Sequence, residues 1–394
     1  MRLTYKEIVI TFFLAFCVWS CSEASGHGSF TMVLSGSMHG QLDPCGWKKN
    51  PLGGLSRRST KIKELRSSNE NPLILDAGDL FFSTKDLNPS NKNSETVRAQ
   101  AIMEGYQKIG CDVINVGHYE VLNGLSFLNQ IIKRYNIPFI SANLKNAKTN
   151  ELIFKPYEIF ERDNLKIGVV GVTDMLPDTC KSIVSEDYIN KANEYGKKIS
   201  EEVDLLIALV NAQRSAQSSL VEKLPMFDFI ITSGSTNMSR ANSPQVDDGP
   251  YIYSCGKQGK YLLTIDLDLR KKNTPFVDIS AQEKKIRSIN KRFERLQKKD
   301  PNMPLESIYE NQQNILNLIK QYKEDIKQSE QIIASAVNTL EFQTIPLSRS
   351  VEDDEEILAF VNKSVETCNA LAPKTSKSKK VNRKKIDPHA GHEH

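Results

Sequence analysis

Over most of its length the sequence lacks a surplus of charge of one sign. The formal charge is +4, but residues 373–394 hold seven Lys or Arg against two acids, so the remainder stands at −1. A nearly neutral body indicates no nucleic-acid surface, and no nucleic-acid partner is expected. A bilayer-spanning run is also missing: Ile8 to Trp19 falls short of the roughly 20 apolar residues that a spanning helix needs. Cysteine is sparse, seven widely spaced residues in 394, which excludes a dense disulfide framework. No internal repeat is visible. The chain is 39% hydrophobic and 25% charged, the balance of a globular protein with one large domain or two ordinary ones.

The short apolar run has a use of its own. Preceded by Arg2 and Lys6, it suits the core of a signal peptide spanning residues 1–21, and the protein is expected to be exported. The run ends Val18-Trp19-Ser20-Cys21, which resembles the lipobox of bacterial lipoproteins; acylation of Cys21 would tether the chain to a membrane surface without crossing it. With Cys17 and Cys21 set aside, Cys45, Cys111, Cys180, Cys255 and Cys368 remain, an odd number that leaves at least one thiol unpaired in a monomer.

From Ser29 to about Leu269, short apolar runs alternate with amphipathic stretches. Phe30–Leu34, Leu73–Asp76, Val113–Val116, Phe139–Ser141, Ile167–Val172, Leu205–Val210 and Phe229–Thr232 read as buried strands, with helices over Thr96–Ile109 and Leu125–Tyr135. This alternation predicts a layered α/β domain over 29–270. Polar residues cluster just after the strands (Ser37 and His39, Asp79, His118 and Glu120, Asn211, Ser235 and Asn237), where open α/β sheets bind ligands. Beyond it, Ile286–Gln297 and Pro304–Val337 read as a charged helical hairpin and Asp353–Leu371 as a final helix, together a C-terminal unit over 280–371. The tail, 373–394, is expected to be disordered. Its basic run Lys377–Lys385 and its His389, His392 and His394 read as solvated rather than as lipid- or metal-binding sites.

Taken in order, Met38-His39-Gly40, Asp76-Ala77-Gly78-Asp79, Gly117-His118-Tyr119-Glu120, Ser141-Ala142-Asn143-Leu144, Ile167–Thr173 and Val203–Val210 resemble the calcineurin-like metallophosphoesterase domain of the 5′-nucleotidase type. The resemblance implies a four-layered αββα sandwich with an appended C-terminal helical hairpin. It also implies a two-metal centre at the strand ends, where a bound hydroxide attacks a clamped phosphate. Several ligand positions depart from that pattern. Asp-x-His is Ser37-Met38-His39, Gly-Asn-His-Glu is Gly117-His118-Tyr119-Glu120, the later histidine is Asn211, and Gly-His-x-His is Gly234-Ser235-Thr236-Asn237. His39 and Asp79 are kept, with His118 and Asn211 as weak further donors, so the expectation is a degraded centre. At most it would hold a single divalent ion (Mn, Zn or Fe) serving residual phosphoester hydrolysis.

The loop DPCGWKKNPLGGLSRR, residues 43–58, is similar instead to that of an UshA-like selenoprotein family, in which Pro-Cys-Gly is followed by cysteine or selenocysteine. Trp47 stands at that position. Either the chain has diverged, or a UGA codon has been rendered as Trp. In the second case Cys45 and position 47 form a redox pair that serves a partner protein, Lys48, Lys49, Arg57 and Arg58 favour a Cys45 thiolate, and the arginine pair binds substrate. The plainer reading makes Cys45 an inert buried thiol, the Gly-Gly a helix entry and the arginines a solvated face. A non-catalytic binding protein on the same scaffold is the third possibility.

Overall fold

The computed structural model describes residues 27–46, 49–68, 71–240 and 249–373. Cys21, Trp47 and the basic tail lie outside these residues, and with them the leader and the lipobox.

Two sheets face one another. The larger is ordered β13 (Phe276–Asp278), β14 (Asn338–Pro346), β12 (Tyr261–Leu269), β1 (Gly28–Ser35), β2 (Leu73–Asp76), β3 (Val113–Asn115) and β4 (Phe139–Ile140). The smaller is ordered β11 (Tyr251–Ser254), β10 (Phe229–Ser233), β9 (Leu205–Asn211), β7 (Leu165–Thr173) and β6 (Tyr157–Arg162). Strands β1 to β4 run parallel, as do β7, β9, β10 and β11, so each set delivers its carboxyl ends to one edge of its sheet. A separate two-stranded ribbon pairs β5 (Leu144–Asn146) with β8 (Ile183–Ser185).

The layering comes from the two-residue period of a strand. On β1, Met32 and Leu34 enter the core between the sheets while Val33 faces the outer helices; on β9, Leu205, Ile207 and Leu209 face inward while Leu206, Ala208 and Val210 face out. Both faces are therefore apolar, which is why these strands read as continuous hydrophobic runs. Helices α1 (Leu55–Ser67), α2 (Lys92–Ile109) and α3 (Leu125–Arg134) cover the larger sheet, and α4 (Tyr188–Ile199) and α5 (Leu220–Lys223) cover the smaller. The result is the expected αββα sandwich.

The C-terminal hairpin is present as α6 (Ser280–Gln297) and α7 (Gln313–Ser335), held by the buried Ile289 and Ile319 and by an edge-on contact of Phe293 with Tyr322. The chain beyond the hairpin belongs to the sandwich rather than to an appendage. Strand β14 pairs antiparallel with β12 from Asp268↔Thr339 to Tyr261↔Pro346. Helix α8 (Glu355–Leu371) then joins the outer layer beside α2 and α1. Ser56 and Ser59 donate to Asp353 and Asp354 at 2.6 Å each, and Asp354 caps α8 by accepting from the Ile357 amide.

Candidate functional site

Five strand ends meet at one rim. From β1 the chain turns through Ser37 and His39, from β2 through Asp79, from β3 through His118, and β9 and β10 end at Asn211 and Ser233, which are paired in register. Ser37, His39 and Asp79 all have left-handed backbones (φ 52°, 49° and 62°), a conformation that costs non-glycine residues energy and concentrates at functional loops. Backbone bonds lace the first two turns together: the amides of Ser37, His39 and Gly40 donate to the carbonyls of Gly78, Asp79 and Leu80 at 2.8, 3.0 and 2.8 Å.

Glu120 anchors the floor. Its fully buried carboxylate accepts from the amides of Leu80 (2.6 Å), Gly117 (2.8 Å) and Asp79 (2.9 Å). Asp79, also buried, accepts from the Tyr119 amide at 3.2 Å. Burial pushes both carboxyls upward; Asp79 raises Glu120 further, and Asp76 adds to the rise at Asp79. Gly117 is required here, because a Cβ would sit 2.9 Å from the Asn211 side chain and the Asp79 amide.

Asn211 is the hub of the second sheet's contribution. Its Oδ1 accepts from the His118 amide at 3.2 Å and from Thr173 Oγ1 at 3.1 Å, and its Nδ2 donates to Ser233 Oγ at 2.7 Å. The Ser233 hydroxyl donates in turn to the Ala77 carbonyl at 2.6 Å, and Ser37 Oγ accepts from the Gly234 amide at 3.2 Å.

The two imidazoles diverge. His39 is held down to about 4, first by burial and then by Lys257, and its Nδ1 is buried without a hydrogen-bond partner among the described residues. His118 is lowered by burial and by Lys85, with Asp178 opposing. Tyr119 lies between the rings, 4.5 Å from His39 and 5.5 Å from His118. Of the four metal candidates, Asp79 and Asn211 are thus joined to the His118 backbone, while both rings pack against Tyr119. Among the described residues no group of three or more His, Cys, Asp or Glu side chains converges as a metal would need.

The Cys45 loop flanks this rim. Cys45 and Leu52 exchange backbone bonds at 2.9 and 3.0 Å, closing a small hairpin, and the segment 256–260 is wedged between it and the first motif: the Gln258 amide donates to Ser37 O at 2.8 Å, and the Leu347 amide to Lys260 O at 3.1 Å. Lys257 acts on both His39 and Cys45. The cations beside the thiol are therefore Lys260 and Lys257, not the arginine pair. Burial outweighs them, and the Cys45 thiol is raised. All five cysteines among the described residues are free.

Arg57 and Arg58, expected at a substrate or on a solvated face, are instead buried. Arg57 donates to the carbonyls of Pro51 and Leu347 and pairs with Asp353 at 3.5 Å, stapling the loop to the returning C-terminal segment. Arg58 donates to Ser35 Oγ and lies over the Tyr106 ring; both Ser35 and Tyr106 donate to the buried Asp76 at 2.8 Å. Sequence reading names Thr173 only as the end of a motif and misses Ser233, Lys257 and Lys260. The two hydroxyls carry a signal, since each closes a strand legible in the apolar pattern; the lysines, far from any motif, carry none.

Two facing sheets between helical layers, with turns from five strand ends gathered at one rim, form the sandwich of the calcineurin-like phosphoesterases, a fold that the chain shares with solved members and that goes with its sequence similarity to 5′-nucleotidases. Its curated relatives are 5′-nucleotidases and UshA. It is 27% identical over 288 residues to a 5′-nucleotidase of Vibrio cholerae, covering 63% of this chain and 50% of that protein, and 33% identical over 158 residues to protein UshA of Salmonella pullorum, covering 40% and 27%. Among solved structures, a 5′-nucleotidase precursor from Thermus thermophilus superposes with a TM-score of 0.63 at 14% identity, over 87% of this chain and 59% of that one. The calcineurin-like phosphoesterase YfkN from Bacillus subtilis superposes with 0.58 at 17% identity, over 88% and 99%. The chain spans about half the length of the curated relatives it matches first. No family model matches it.

Proposed function

We propose that this is an exported protein, lipid-anchored at Cys21, that keeps the 5′-nucleotidase scaffold without its two-metal centre, and whose reactive groups are the thiol at Cys45 and a selenol at position 47. The observation that carries the loss of the centre is the bonding of Asn211. The position that should offer a lone pair to a cation spends its carbonyl oxygen on two protein donors and its amide on Ser233. With the first carboxylate replaced by Ser37 and both later imidazoles by Ser235 and Asn237, the residues present do not fit a pair of ions.

For the loop, a thiol that burial keeps protonated is a poor attacking group and an adequate resolving one. A selenol at position 47, ionised at neutral pH, would attack one sulfur of a partner's disulfide and release the other as thiolate. Cys45 would then displace the second partner sulfur from selenium, leaving a Cys45–selenium bond that an external dithiol reduces. The codon for position 47 tests this directly: UGA supports the pair, and UGG leaves a lone thiol and overturns it. A second reading, residual single-metal phosphoester hydrolysis by His39, Asp79 and His118, is favoured by the unpartnered Nδ1 of His39. Metal analysis separates the two: less than about half an equivalent of Mn, Zn or Fe per chain after gentle purification excludes a working metal site, single or dinuclear.

A further inference from the structure

Away from the strand-end rim, a cleft of about 440 Å³ opens between the start of the helical hairpin and the β12–β14 pair. Its charged walls are all of one sign. Lys284 and Arg287 project from α6 one turn apart, and Arg240 stands on the loop after β10. Arg287 is already engaged by Glu283 and Glu341; among the described residues neither Lys284 nor Arg240 makes an ion pair. No carboxylate among the described residues lines the cleft.

The floor is apolar and aromatic. The half-buried Met238 and Tyr261 form it above the buried Phe342, whose ring packs on that of Tyr253 with centroids 4.6 Å apart. At the lip, the buried hydroxyl of Thr344 has no hydrogen-bond partner among the described residues. A rigid aromatic floor under unneutralised cations favours a ligand with a flat apolar body and a negative head: the body covers ring surface, and the head accepts from guanidinium and ammonium donors.

We propose that this cleft, formed by Arg240, Lys284, Tyr261 and Phe342, is a binding site for a small aromatic anion, separate from the strand-end rim. Nothing in it depends on the reading of the Cys45 loop or of the metal positions. The test is calorimetric titration of the full chain with 1-naphthalenesulfonate, repeated with the neutral 1-naphthalenemethanol. The expected result is saturable one-to-one binding of the sulfonate. Binding should weaken at least about tenfold, equivalent to about 1.4 kcal/mol, in both Lys284→Glu and Arg240→Glu, and for the neutral analogue. Lys291→Glu, on the same helix but outside the cleft, controls for general electrostatics and should bind as the parent does; all three positions are exposed, so each variant should fold. Three outcomes overturn the proposal: no saturable binding at millimolar sulfonate, equal loss in Lys291→Glu, or retention in both cleft variants with loss in His39→Ala, which would seat the ligand at the rim instead.

Discussion

Asn211 and Ser233, side by side on β9 and β10, are joined by an Nδ2–H···Oγ bond of 2.7 Å, and through Ser233 the second sheet is tied to the Ala77 carbonyl of the first. Asn211 thus acts as a clasp between the two sheets. Replacing Asn211 with alanine should therefore act on stability. It removes the shortest of the Thr173 hydroxyl's bonds, an acceptor of the His118 amide and the donor to Ser233 Oγ, at about 1 kcal/mol for each net hydrogen bond lost. Urea unfolding of Asn211→Ala measures it, and a change below about 0.5 kcal/mol would mean that the clasp contributes nothing to holding the sheets together.

His39 gives the rim a pH signature. Its folded-state value of about 4 lies below the unfolded 6.5, so the unfolded chain binds the proton first as pH falls. The stability linked to this residue is complete above about 6.5 and is lost as pH drops towards 4. Thermal unfolding from pH 7 to 4.5 should show His39→Gln losing less stability than the parent over that window. Parallel curves would show that the imidazole is not held neutral.

Burial of Arg58 beside the Ser35–Asp76–Tyr106 network makes a structural prediction where sequence suggests a functional one. Arg58→Met removes the guanidinium that donates to Ser35 Oγ and acts on the buried Asp76 from beside it, and should cost about 1–3 kcal/mol, the range for a buried polar group that loses its partner. Full stability in denaturant titration would contradict this placement.

Cys45 should alkylate slowly. At pH 7.5 its reaction with iodoacetamide is expected to lag behind a free cysteine peptide, because burial raises the thiol, and Lys260→Ala should slow it further by removing an opposing charge. Faster reaction than the peptide would show that the lysines prevail.

These four expectations also mark where sequence reading succeeds. The sandwich is legible because strands buried on both faces are written as unbroken apolar runs, and because the motif turns fall in order at their ends. Strand β14 is not legible as a strand, although Leu340 and Phe342 alternate with exposed or half-buried neighbours, because it comes directly after a long amphipathic helix and ends in Ile345-Pro346. The arginine pair misleads for another reason. A guanidinium next to a glycine turn reads as solvated, and the C-terminal return, distant in sequence, supplies Leu347 and Asp353 as partners of the buried Arg57 beside Pro51 of its own loop.

That return carries a fifth prediction. Ending the chain at Val337 removes β14 and α8, exposes the edge of β12 and uncovers α2. The truncated protein should be insoluble or lack a cooperative thermal transition. A soluble, cooperatively unfolding fragment would restore the C-terminal region to the status of an appendage.

The order β13–β14–β12 has a consequence for the order of assembly. Strand β13 is made before the hairpin, yet its only partner among the described strands is β14, made after it, so residues 276–278 must wait for 338–340 before they can pair. An N-terminal fragment emerging from a ribosome or a translocation channel cannot close the larger sheet early. The last residues of the sandwich to be made are the ones that lock it.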